Sequence, residues 1–147
     1  MPIVAIYGPI LMWLVAGLDK RWGGSPLLSL ELAAFVVVIA GYLFSTWALM
    51  INRFFSAVVR VQTDRGHTVV TTGPYRFVRH PGYAGALVGY LATPIALGTL
   101  WVFIPMLLTC IVLVVRTALE DKTLQQELPG YSEYNRRTRY RLLPGIW

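Results

Sequence analysis

From His80 to Val115 the chain runs for about 36 residues without an Asp, Glu, Lys or Arg, between Arg79 on one side and Arg116 on the other. As a single helix rising 1.5 Å per residue, this run would measure about 54 Å. The hydrocarbon core of a bilayer is only about 30 Å thick. The run must therefore fold back on itself. Leu97-Gly98-Thr99 is the natural turn, with Pro94 and Pro105 bending the two arms.

Two further uncharged runs precede it. Ile3 to Leu18 is closed by Asp19, Lys20 and Arg21, and Leu32 to Asn52 ends at Arg53. Core helices of a soluble protein need polar surface to cover them. With 56% hydrophobic and 14% charged residues, the chain has too little. The sequence therefore predicts an all-α integral membrane protein of about four transmembrane helices, the last two a tight hairpin. It reads as one domain, residues 1–147, with two N-terminal spans in 1–51 and the functional core in 52–147.

The charges orient this arrangement. With four spans, both termini share a side with the 52–81 loop. That side holds Arg53, Arg60, Arg65, Arg76, Arg79, Arg116, Lys122, Arg136, Arg137, Arg139 and Arg141, and the other holds only Lys20 and Arg21. Basic residues accumulate on the cytosolic side of membrane proteins, so the expected location is a multi-pass membrane protein with both termini in the cytosol. Charge parcelled in this way argues against a nucleic-acid partner. One cysteine, Cys110, cannot form an intramolecular disulfide, and with two histidines it supplies too few soft ligands for a zinc site. The N-terminal stretch has no basic n-region, so no cleavable signal peptide is expected.

Two polar segments face the cytosol in this scheme. The first ends in VTTGPYRFVRHPGYAG, from Val70 to Gly85. Gly73-Pro74 reads as a turn. Pro81 disfavours helix at His80 and suits a helix start. Tyr75, His80 and Tyr83 are thereby gathered at the interface, with Gln62 and His67 shortly upstream. An aromatic belt with snorkelling arginines explains such residues singly; their density weakens that explanation without defeating it. The second segment begins at Arg116. Arg116 and Glu120 lie four apart on one helical face, in the order that stabilises a helix less. Either they form a surface pair, or they are ionisable groups placed where a helix leaves the bilayer for a function. Asp121 adds a second carboxylate.

Together these residues resemble a known signature. Arg79-His80-Pro81-Gly82-Tyr83, a hydrophobic hairpin, and then Arg116 followed by Glu120-Asp121 is similar to the arginine-histidine-proline-x-tyrosine, hydrophobic, glutamate-glutamate pattern. That pattern belongs to the isoprenylcysteine carboxyl methyltransferase family and its phospholipid-methyltransferase relatives. The resemblance takes in Gln62, His67 to Val70 and Gly73-Pro74-Tyr75 upstream. In the tail it takes in Leu124, Gly130-Tyr131 and Tyr134. Asp121 stands where the family usually has glutamate.

The resemblance implies an S-adenosylmethionine-dependent methyltransferase whose cofactor binds on the cytosolic side. Gln62, His67, Thr68, Val69, Val70, Tyr75, His80, Pro81, Gly82, Tyr83, Glu120 and Asp121 match its cofactor-binding positions. Arg116 and Glu120 are the catalytic candidates, Arg116 matching a position assigned to substrate or catalysis. The acceptor would be a lipophilic or prenylated molecule arriving from the bilayer among membrane lipids; whether it takes the methyl on oxygen, nitrogen or sulfur stays open. Two other classes remain: a sterol-reductase-like enzyme using NADPH, and a non-enzymatic membrane scaffold. Ligand binding separates the three.

Overall fold

The structure, a computed structural model, describes residues 2–19, 28–56 and 60–147, with backbone only for 2–6. Lys20 and Arg21, the two basic residues expected opposite the main cluster, lie outside the described residues. Among the described residues five α-helices follow one another: α1 (Pro2–Asp19), α2 (Leu28–Ile51), α3 (Pro81–Ala96), α4 (Phe103–Glu127) and α5 (Tyr131–Arg137). Among the described residues there is no strand.

Among the described residues two stretches are long and apolar enough to cross a membrane, Leu28–Ile51 with mean hydropathy 2.1 and Leu100–Glu127 with mean hydropathy 2.4. α2 starts before the uncharged run, taking Glu31 into its first turn, where a carboxylate favours the helix dipole. The helical run after His80 breaks near Gly98: α3 ends at Ala96, Gly98 takes φ +64°, and a short 3₁₀ turn from Leu100 to Val102 leads into α4.

α2 and α3 are joined through small residues. A Cβ on Gly41 would lie 2.7 Å from the Gly85 carbonyl oxygen and 2.9 Å from the Gly89 nitrogen, so only hydrogen fits there. The Ser45 hydroxyl donates to the Gly82 carbonyl at 2.8 Å. As α2 numbers rise from 41 to 45, their partners on α3 fall, so the two helices are antiparallel. In lipid there is little hydrophobic force between helices, and close backbone approach of this kind supplies the attraction instead. The other face of α2 leaves Leu32, Phe35, Val36, Ile39, Leu43 and Trp47 exposed. That continuous apolar surface suits acyl chains better than water.

α1 joins the core through Met12 and Ala16, which cluster with Leu87 and Tyr90 of α3 and Met106, Cys110 and Leu113 of α4. α4 is continuous for 25 residues, about 38 Å at 1.5 Å per residue. Its last turns therefore run beyond the apolar layer. There a second, smaller cluster of Leu128, Tyr131 and Tyr134 gathers against Val61, Val69 and Leu124. The tail after α5 returns to the start of α3, where the Tyr140 and Arg141 carbonyls accept from the amides of Arg79 and His80, each at 2.9 Å.

Candidate active site

One end of the bundle brings the two polar segments together, where α2 ends, α3 begins and α4 extends past its apolar stretch. The first segment is a loop folded around Gln62, which is buried. Its side-chain amide donates to the Phe54 carbonyl and accepts from Arg65 Nη1 at 2.8 Å. Its backbone amide donates to His67 Nδ1 at 3.3 Å, and the His67 ring stacks on Phe54 with centroids 4.5 Å apart. Gly73 then turns the chain with φ +58°, a backbone angle that favours glycine. The following 3₁₀ turn, Gly73–Arg76, buries Pro74 and Tyr75. Pro81 occupies the first position of α3, as a residue without an amide hydrogen can.

These turns form one side of a cleft of about 510 Å³, its open mouth included. Its wall takes His67, Thr68, Val69 and Val70 from the loop, Tyr75 from the turn, and His80, Gly82 and Tyr83 from the start of α3. Glu120 completes it from α4. Nine of the residues singled out in the sequence are thus brought to one surface. Gln62, Pro81, Arg116 and Asp121 are not in that wall.

Arg116 sits behind Tyr83. Its Nε donates to the Tyr83 hydroxyl at 2.9 Å, and that hydroxyl donates to Glu120 Oε2 at 2.7 Å. The direct Arg116–Glu120 separation is 3.9 Å, so the tyrosine hydroxyl is the tighter link. Arg116 Nη2 also donates to the Ser56 carbonyl at 3.2 Å. Spacing alone placed this pair on one face; the residue standing between them comes from another helix.

Asp121 points the other way, into the protein. Arg79 grips it with Nε at 2.8 Å and Nη2 at 3.0 Å, and Arg141 adds Nε at 2.9 Å. Two guanidiniums against one carboxylate give the buried cluster a surplus of positive charge, and Arg79 is itself part of the cleft wall.

The wall also contains residues the sequence reading gave no role. Asn52 and Phe55 come from the turn just after α2, Leu124 and Leu128 from the end of α4, and Tyr131 and Tyr134 from α5. Three of these carried a signal, since Leu124, Tyr131 and Tyr134 belong to the family resemblance noted above. Burial raises the Tyr75 phenol to about 12, and raises Tyr134 further. Tyr131 is raised by burial and by the charge of Asp121. These phenols keep their protons near neutral pH and serve as walls and donors. Burial lowers the His67 imidazole, with the negative charge of Glu120 opposing. Among the described residues, no group of three or more His, Cys, Asp or Glu could hold a metal ion.

A helical bundle with exposed apolar helices and a polar, tyrosine-walled cleft at one end has the features of a membrane protein. Comparison with known proteins narrows that class. Residues 32–126 match the model of the isoprenylcysteine carboxyl methyltransferase (ICMT) family. A probable protein-S-isoprenylcysteine O-methyltransferase of Oryza sativa subsp. indica is 36% identical over 63 residues, 42% of this chain and 33% of that protein. The protein-S-isoprenylcysteine O-methyltransferase of Schizosaccharomyces pombe is 36% identical over 72 residues, 49% of this chain and 29% of its own length. A cobalt-zinc-cadmium resistance protein, CzcN, of Cupriavidus metallidurans is 30% identical over 144 residues, 92% of this chain and 61% of that protein. The chain belongs to the ICMT family. It spans about a third of the length of the plant and yeast methyltransferases it matches.

Proposed function

We propose that this protein transfers a methyl group from S-adenosylmethionine to a lipophilic acceptor at the cytosolic membrane face, with an isoprenylated cysteine carboxylate as the leading acceptor class. The observation that carries this reading is the cleft itself, where a carboxylate, Glu120, shares one wall with the aromatic rings of Tyr75, Tyr83 and Tyr134. The cofactor presents an ammonium, a sulfonium and a planar base. A carboxylate pairs with the first and tyrosine faces attract the second. His67, whose Nδ1 accepts from Gln62, offers an Nε2 hydrogen in its neutral form for an acceptor on the ligand.

When bound, S-adenosylmethionine supplies the methyl group, which the acceptor takes as the carbon–sulfur bond breaks and the electron pair returns to sulfur. No covalent protein nucleophile is required. The protein's contribution is alignment, which can be worth about 7–11 kcal/mol. Arg116 orients an acceptor carboxylate, and the Tyr83 hydroxyl holds Arg116 and Glu120 in fixed relation.

In the same reading, α1 to α4 are four spans, the last two a hairpin, and residues 52–147 form the catalytic core of a single domain. Both termini and the cleft face the cytosol, and the acceptor arrives from the bilayer. The similarity of the methyltransferases named above supports the acceptor class. The test is radiolabelled methyl transfer from S-adenosylmethionine to a prenylated cysteine and to total membrane lipid extract. Label in the prenylated cysteine is expected. Label in neither, with nicotinamide nucleotides binding instead, would overturn the reading in favour of a reductase.

A further inference from the structure

Asp121 is fully buried, and six contacts converge on its two oxygens. Oδ1 accepts from Arg79 Nε at 2.8 Å and from the Tyr131 hydroxyl at 2.8 Å, and lies 3.3 Å from His80 Nε2. Oδ2 accepts from Arg79 Nη2 at 3.0 Å, Gln125 Nε2 at 2.8 Å and Arg141 Nε at 2.9 Å. A carboxylate offers about four lone-pair sites. No capacity is left for a ligand's ammonium.

His80, by contrast, lines the cleft. An ionised carboxylate only accepts, so the hydrogen in the Asp121 contact sits on His80 Nε2. In the neutral ring Nδ1 is then an acceptor. Among the described residues Nδ1 has no hydrogen-bond partner. The ring is further fixed by near-parallel stacking on Tyr83, with centroids 5.9 Å apart and planes 9° apart. The neighbouring Arg79 is tied down by the Thr138 and Arg139 carbonyls.

We infer that Asp121 is a positioning residue rather than a ligand contact. Through it, Tyr131 and Arg141 of the tail set His80 as a hydrogen-bond acceptor facing the cleft. Opposite the neutral ring, the ligand group is an N–H or O–H donor, of the kind a nucleoside carries on its base amino group or its ribose. Neutral His67 has the opposite polarity, so the cleft presents one preset donor and one preset acceptor. This inference rests on the reading of the cleft as an S-adenosylmethionine site and assigns a sense to each of its two imidazoles.

The test uses the full chain in lipid nanodiscs, with ¹⁵N-labelled histidine. Long-range ¹⁵N–¹H spectra of the ligand-free protein report both rings, and His67→Gln assigns them. Wild type should show His80 as the Nε2–H tautomer. Tyr131→Phe, which removes one hydroxyl, and Arg141→Gln should each erode that preference and weaken S-adenosylmethionine binding by about tenfold, the scale of one hydrogen bond to a charged group. Asp121→Asn should do both at least as strongly, and adding Tyr131→Phe to it should cost little more. If Asp121→Asn weakens binding while the His80 spectrum stays wild-type, Asp121 touches the ligand and the inference fails. It fails equally if Tyr131→Phe and Arg141→Gln leave spectrum and affinity unchanged. A wild type with the expected tautomer and no affinity for S-adenosylmethionine supports the positioning role and overturns the cofactor reading.

Discussion

Arg116 and Glu120 share a helical face but not an environment, and substitutions should separate them. The Arg116 side chain is buried behind Tyr83. Arg116→Ala removes charged donors from the Tyr83 hydroxyl and from the Ser56 carbonyl. At about 1.5–3 kcal/mol for a hydrogen bond to a charged group, partly recovered by entering water, the expected loss of stability is about 2–4 kcal/mol. Glu120→Gln keeps an oxygen that accepts from Tyr83 and loses only a charge 3.9 Å from Arg116 on a partly exposed residue. Its stability cost should be about 1 kcal/mol or less. Ligand binding should show the reverse order. Glu120→Gln removes the charge proposed for the cofactor ammonium and should weaken S-adenosylmethionine binding by one to two decades, the equivalent of about 1.5–3 kcal/mol. Arg116→Ala should leave cofactor affinity close to wild type while cutting turnover. Calorimetric titration and thermal unfolding in detergent measure both quantities on the same samples. If the two variants lose stability and cofactor affinity in equal measure, they form a plain ion pair and the division of roles is wrong.

Gly85→Val should destabilise by about 1–3 kcal/mol through overpacking against the Gly41 carbonyl, whereas Gly17→Ala, which meets nothing within 4 Å, should be neutral in the same thermal assay. His67 titrates below its usual value of 6.5 in the folded protein. The unfolded chain therefore binds more protons, so the contribution of His67 is present above pH 6.5 and is lost as pH falls through its lower folded value. Stability of wild type should accordingly fall more steeply across that window than stability of His67→Gln, as read from melting temperature against pH. For topology, cysteines at Ser132 and at Leu100, which is 80% exposed, in a Cys110→Ser background should label from opposite sides of the membrane; labelling from one side would refute four spans.

Much of this architecture was legible because it follows from lengths. A 36-residue uncharged run cannot be one span, and the helix does break near Gly98. Pro81 likewise announced the start of α3. The adjacent carboxylates Glu120 and Asp121 were legible as a pair but not in their opposite surroundings. Successive helical residues point about 100° apart, and only the folded chain shows that one direction is the cleft and the other a cluster of arginines. The arginine partners of Asp121 lie 42 residues before it and 20 after it, beyond the reach of any local pattern. The small-residue contact between α2 and α3 was hidden for the same reason: Gly41 and Gly85 acquire meaning only once the helices are antiparallel.

The unbroken course of α4 has a mechanical consequence. One continuous rod carries exposed, apolar Ile104 and Leu108 at its start and Glu120 near its far end, about 24 Å apart from Ile104 to Glu120 at 1.5 Å per residue. Spanning helices adapt to a thinner or thicker bilayer chiefly by changing their tilt. A tilt of about 5° about the Ile104 end would swing Glu120 sideways by roughly 2 Å, and misplacement of about 1 Å can cost a reaction a hundredfold. On the proposed methyltransferase reading, acyl-chain length would then act on turnover, with the rod as a lever between the lipid and the cleft.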